Sequence, residues 1–160
     1  MASNIDHGEI KLGQLLTIAL SGAALALREP LLLVILGIAF VLGGTVRWLS
    51  PFGAIYRWVV RPLGLMRSDY RLDNLQAHQF GQLVGVATAA AAWGLIQAGY
   101  PSAGWAVVVV LIALTAISYF GWCIGCFLYY QLNRLGLRGF FGHAPTDRSV
   151  FPGRRPRKGE

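Results

Sequence analysis

Cys123-Ile124-Gly125-Cys126 holds both cysteines of the chain, spaced by one helical turn near the end of a long apolar run. Two thiols so placed can form a disulfide, hold a soft metal ion, carry sulfur or simply pack. The other residues able to do chemistry are few. His7 and His78 each precede an apolar segment, and Gln14 and Gln82 lie just inside those segments. A metal site needs more ligands than two thiolates, with His7 and His78 as the natural additions, but one Cys-x-x-Cys is not the doubled motif of a structural zinc site. No metal and no cofactor are therefore expected. Cys123 and Cys126 are the candidate catalytic thiols, and His7, Gln14, His78 and Gln82 form a candidate polar cluster.

Activation is the difficulty for a redox reading. A reactive Cys-x-x-Cys places its first thiol at a helix N-terminus, where free amides lower the thiol pKa. Here an unbroken apolar run precedes Cys123, and burial among Trp122, Ile124 and Phe127 should raise the pKa. Fast exchange is disfavoured unless the helix breaks near Gly121 or Gly125.

The elements that must position these groups follow from composition. Hydrophobic residues make up 55% and charged residues 13% of the 160-residue chain, against roughly 25% charged in a soluble domain. An integral membrane protein is expected. The first ten residues carry Asp6, His7 and Glu9 in place of a basic leader, so no cleaved signal is expected. Four segments approach the roughly 20 apolar residues that a span requires: Leu12 to Leu27, Leu31 to Leu49, Phe80 to Ala98, and Ala103 to about Leu132. Arg28-Glu29-Pro30 and Gly99-Tyr100-Pro101-Ser102 fit tight connections within each pair. The predicted fold is all-α: four transmembrane helices arranged as two hairpins, occupying residues 1–141 together with a short interfacial helix near 51–62.

Charge sets the expected orientation. Every Lys and Arg except Arg28 falls on one side of this four-span arrangement, and the cytoplasmic side carries such an excess. Both termini and the central loop are predicted cytoplasmic, in a bacterial inner membrane. The net charge of +7 is accordingly a topology signal, and nucleic acid is not an expected partner. Between the second and third spans, Ser50 as a cap with Pro51 in the first turn begins the interfacial helix. Arg57 and Arg61 share a face of it, and with Trp58 they are candidates for contact with lipid headgroups.

An internal similarity links the halves. Leu12-Gly13-Gln14-Leu15-Leu16-Thr17-Ile18-Ala19 aligns without a gap to Phe80-Gly81-Gln82-Leu83-Val84-Gly85-Val86-Ala87, with Gly, Gln, Leu and Ala identical. This predicts a parallel repeat about an axis along the membrane normal. It also brings the His and Gln residues toward the level of the two cysteines. Gly121-x-x-x-Gly125 and Gly81-x-x-x-Gly85 permit close helix approach. No acidic residue lies within a predicted span, so a carboxylate-based proton or cation pathway has no carrier.

Several short motifs occur in a specific order: Asp6-His7 with Ile10-Lys11 and Gln14, Ser50-Pro51 with Val60-Arg61-Pro62, His78-Gln79-Phe80 with Gln82, and Cys123-Ile124-Gly125-Cys126 with Tyr129. In these the chain resembles the small bacterial membrane proteins catalogued as domain of unknown function 4395, up to about Arg138. The resemblance implies a compact multi-span protein of unestablished activity, some of whose relatives are encoded beside thioredoxin-like or sulfurtransferase proteins.

Two functions from different classes are expected to compete. One is a membrane component handling thiol redox or sulfur through Cys123 and Cys126. The other is a non-catalytic accessory subunit packed against a larger membrane complex. Residues 142–160, ending in Arg154-Arg155-Pro156-Arg157-Lys158, are too poor in apolar groups to fold alone and are read as a basic, disordered cytoplasmic tail.

Overall fold

The computed structural model describes residues 3–135; the predicted tail, 142–160, lies outside the described residues. Within them the regular structure is helical apart from one two-stranded ribbon. The order is β1 (Ser3–Asp6), α1 (His7–Leu27), α2 (Leu31–Thr45), α3 (Pro51–Ile55), β2 (Tyr70–Asp73), α4 (Leu75–Gln97), α5 (Pro101–Tyr119) and α6 (Ile124–Arg134).

Three helices, α1, α4 and α5, are long and apolar enough to cross a membrane, as expected of a multi-pass membrane protein. The first is longer than the sequence suggests. Asp6 caps it by accepting the Gly8 N–H at 2.9 Å, so the helix begins at His7, ahead of the apolar run. The second is shorter than expected: α2 stops at Thr45, and its 15 residues extend only about 22 Å against a hydrocarbon core of ~30 Å. Residues 47–49 of the anticipated span form a separate 3₁₀ turn.

Apolar side chains cover the outside of the helices, among them Leu15, Ile35, Ile38, Val41, Val109 and Ile117. The interior is made of small residues and a few large ones. Ala24, Leu33, Ala92, Trp105 and Val108 close one half, while Leu36, Ala39, Phe40, Phe52 and Leu111 fill the other. Alanine and glycine at these crossings let helix backbones approach closely, which supplies dispersion contact where lipid offers no hydrophobic driving force.

The ribbon is the element that sequence reasoning missed. β1 pairs antiparallel with β2, Ser3 opposite Asp73 and Asp6 opposite Tyr70. Each strand runs directly into a capped helix. Asp6 accepts from Gly8 N, and Asn74, its counterpart in the internal repeat, accepts from Gln76 N at 3.0 Å. The ribbon therefore ties the first turns of α1 and α4 together at one end of the bundle.

A helix is present where the interfacial one was expected, but it changes character along its length. Ser50 caps it, accepting from Gly53 N at 3.3 Å, and Pro51 occupies its first turn. After Ile55 the chain widens into a π-helical turn, Tyr56–Val60, closed by Arg61 N donating to Tyr56 O at 2.9 Å.

The largest departure lies in the fourth expected span. Instead of one helix from Ala103 to about Leu132, α5 ends at Tyr119 and α6 begins at Ile124. Gly121 takes φ +111°, a conformation that L side chains rarely adopt, and it turns the chain between the two helices.

Candidate functional site

The break at Gly121 changes the chemistry expected of Cys123. The thiol lies at the N-cap of α6, and its Sγ accepts the Cys126 N–H at 3.3 Å. An amide that would otherwise be unpaired at the helix start thus points at the sulfur. The continuous-helix expectation, which denied Cys123 this position, is corrected by the structure. Both cysteines are free, Cys126 buried and Cys123 half-buried.

The two thiols titrate in opposite directions. Hydrogen bonding from the Cys126 side chain, opposed by burial and aided by the Cys126 amide, holds the Cys123 thiol well below the usual range. The same contact, together with burial, pushes the Cys126 thiol up.

Neighbouring side chains define the surroundings. Gln14 Nε2 donates to Ser118 Oγ at 2.7 Å, and the Ser118 side chain in turn hydrogen-bonds with Cys123. Ser118, near the end of α5, carries no sequence motif, so nothing in the chain singled it out. The Gln82 amide packs against Gly43 of α2, where an added Cβ would require that side chain to shift. Gln14, His78, Gln82, Ser118 and Cys123 contribute to the wall of a cavity of about 200 Å³ between the helices. Most of its remaining wall is apolar. The Oε1 atoms of Gln14 and Gln82 are both buried without a hydrogen-bond partner.

A second group lies behind the thiols. Asp73, the last residue of β2, meets two histidines: His78 Nε2 is 2.8 Å from Asp73 Oδ2, and His7 Nε2 is 3.2 Å from the same oxygen. The His78 contact is a hydrogen bond. The His7 contact has the distance but not the direction of one, leaving both His7 ring nitrogens buried without a hydrogen-bond partner. Burial works to raise the Asp73 carboxyl, but the contacts from His7 and His78 outweigh it and hold the carboxyl well below the usual range. The imidazoles meet edge to face, centroids 6.0 Å apart. On its other edge, His78 Nδ1 lies 3.8 Å from Cys126 Sγ.

The structure thus brings His7 to His78 and His78 to Cys126. It separates the four-residue polar cluster into two parts: Gln14, His78 and Gln82 border the cavity, while His7 lies against Asp73. Asp73 was overlooked in the sequence because it belongs to a four-residue strand with no apolar pattern. Its position five residues before His78 was the available signal.

The residues expected at a lipid interface take different positions. Trp58 is 80% exposed and Arg61 is exposed. Arg57 is engaged instead, pairing with Glu9 at 3.5 Å and donating to Trp48 O at 2.9 Å.

No curated protein and no solved structure matches the chain. The family described as domain of unknown function (DUF4395) matches residues 5–134, from β1 through the last residue of α6 and across every residue of the thiol and histidine groups. The chain belongs to that family.

Proposed function

We propose that this chain is a membrane-embedded thiol–disulfide exchange protein, with Cys123 as the attacking thiolate and Cys126 as the resolving thiol. The observation that carries the reading is the place of Cys123 at the start of α6, its sulfur receiving the Cys126 amide at 3.3 Å. Cys123 attacks a disulfide of a partner protein, forming a mixed disulfide and releasing one partner thiolate. Cys126 then attacks the Cys123 sulfur. The second partner sulfur leaves, and the Cys126 proton ends on the departing thiolate. The chain is oxidised to a disulfide and the partner is reduced to a dithiol; the reverse sequence oxidises the partner.

The setting proposed for this chemistry is a four-span arrangement of α1, α2, α4 and α5 as two hairpins in the bacterial inner membrane. Both termini and the ribbon end face the cytoplasm. The charge distribution supports that orientation. A thioredoxin-like or sulfurtransferase protein is the proposed partner, and the half-buried Cys123 at the end of the bundle supports access from that side. Trp58 and Arg61 are proposed to anchor the interfacial helix at the headgroups.

The test is trapping. In Cys126→Ser the mixed disulfide cannot be resolved, so a covalent adduct through Cys123 should accumulate after oxidant challenge and dissolve with reductant. Cys123→Ser should trap nothing. If rapid alkylation and mass spectrometry find both wild-type thiols still reduced under oxidant, and neither variant forms an adduct, the chain is the non-catalytic accessory subunit instead.

A further inference from the structure

We propose that His7, Asp73 and His78 form a binding site for a divalent transition-metal ion of the zinc type. The proposal stands apart from thiol exchange and does not depend on it. One ligand atom from each residue lies within 4.8 Å of the other two. The two contacts to Asp73 Oδ2, 2.8 Å and 3.2 Å, resemble the spacing between donors around an ion with bonds of about 2.0–2.2 Å. Little rearrangement is needed to admit one.

The second observation is the state of His7. It is 1% exposed, and neither ring nitrogen has a hydrogen-bond partner. A buried imidazole left unsatisfied carries the full cost of its desolvation. Asp73 as a shared acceptor satisfies His78, whose Nε2 it receives, whereas His7 Nε2 stands 3.2 Å from the same oxygen without the direction of a hydrogen bond. An ion between the three residues takes the His7 Nε2 lone pair and removes the Nε2 part of that deficit.

The donor chemistry and its outer contacts agree. Two neutral imidazoles and a carboxylate suit zinc or a neighbouring first-row ion, not calcium or magnesium. Ligating groups are usually oriented by a further hydrogen bond. Asp73 Oδ1 accepts the Asn74 N–H at 2.7 Å, and His78 Nδ1 faces Cys126 Sγ at 3.8 Å. With the ion on Nε2, the hydrogen of His78 resides on Nδ1 and points at Cys126. Cys126 is therefore a neighbour of the site and not a ligand. Asp73 and His78 retain 13% and 19% side-chain exposure, which leaves a route for the ion and room for a water ligand. Because His7 opens α1 while Asp73 and His78 flank the start of α4, the ion would fasten the two halves of the chain at the ribbon.

The full chain, purified in detergent without chelators, should carry about one zinc-type ion per molecule by elemental analysis. Chelator-stripped protein should take up Co2+ at a saturable site whose visible bands come from nitrogen and oxygen ligands, without thiolate-to-cobalt charge transfer. Asp73→Asn and His7→Gln should weaken Co2+ binding at least tenfold, while Cys123→Ser/Cys126→Ser should keep it. Should the variants fail to fold, the wild-type and double-cysteine cobalt spectra decide alone. No metal in the purified chain together with no saturable Co2+ uptake, or a thiolate charge-transfer band lost in the double-cysteine variant, overturns the proposal.

Discussion

Gly125 lies against Gly81 so closely that a Cβ added to Gly125 would overlap the Gly81 backbone. A Cβ on Gly81 would in turn stand 3.7 Å from Cys123 Sγ. This contact between α6 and α4 sets how near the thiol pair comes to His78. The two glycines belong to the small-residue patterns that sequence reading assigned to helix packing. The packing they permit is what assembles the site.

Gly125→Ala is therefore expected to push α6 away from α4 and to destabilise the protein by about 1–3 kcal/mol, the usual cost of overpacking. Gly37 in α2 provides the control, because nothing lies within 4 Å of a Cβ placed there. Gly37→Ala should be neutral or slightly stabilising, since alanine is the better helix former. Thermal unfolding in detergent measures both, and equal effects would refute the α6–α4 contact.

Gly121→Ala tests the helix break. At φ +111° an alanine carries strain of about 1–2 kcal/mol, and relief comes by letting α5 continue toward Cys123. Continuation removes the N-cap and its amide from the sulfur. Alkylation of Cys123 at neutral pH should slow, with no loss of helix content by circular dichroism. An unaltered rate would show that the break does not activate the thiol.

The pH dependence of the pair has a definite sign. The Cys123 thiol lies low chiefly because the Cys126 side chain hydrogen-bonds to it. Its alkylation rate should rise through a midpoint below that of a free thiol, about 8.5. Cys126→Ala deletes the first of these causes, so the midpoint should climb back toward the free-thiol range. Burial is retained and works in the same upward direction. A midpoint unchanged by Cys126→Ala would sink the assignment of attacking and resolving roles.

Much of this architecture was legible in the sequence because hydropathy and caps are local signals. Ser50-Pro51 begins a helix as its residue types require, and the two Gly-Gln segments of the repeat lie near the starts of α1 and α4. Length counting failed where a single residue's conformation decides. An apolar run through Trp122 is indistinguishable from one continuous helix until Gly121 adopts positive φ, which no composition reveals. The ribbon failed for another reason. Its strands are four residues each and Ser3–Asp6 carries little apolar character, so their pairing depends on the helices they precede. With the ribbon hidden, Asp73 could not be connected to His7, and the histidines were placed in one layer without the carboxylate that joins them.

Asp6 shows how unequal the two repeat-related caps are. Asn74 accepts only the Gln76 amide among the hydrogen bonds resolved for its carbonyl oxygen. Asp6, 5% exposed, accepts from Gly8 N at 2.9 Å, from Asp69 N at 3.0 Å and from the Tyr56 hydroxyl at 3.0 Å. It thereby binds α1, the segment before β2 and the π-helical turn after α3 into one unit. Loss of a cap costs about 1 kcal/mol, and each further donor left buried without a partner adds about 1 kcal/mol or more. Asn74→Ala is accordingly expected to cost about 1 kcal/mol and Asp6→Ala about 3 kcal/mol. Unfolding in detergent, followed by far-UV circular dichroism, measures the difference. Equal losses would mean that Asp6 merely caps a helix, and the ribbon would then have to be held by its backbone pairing alone.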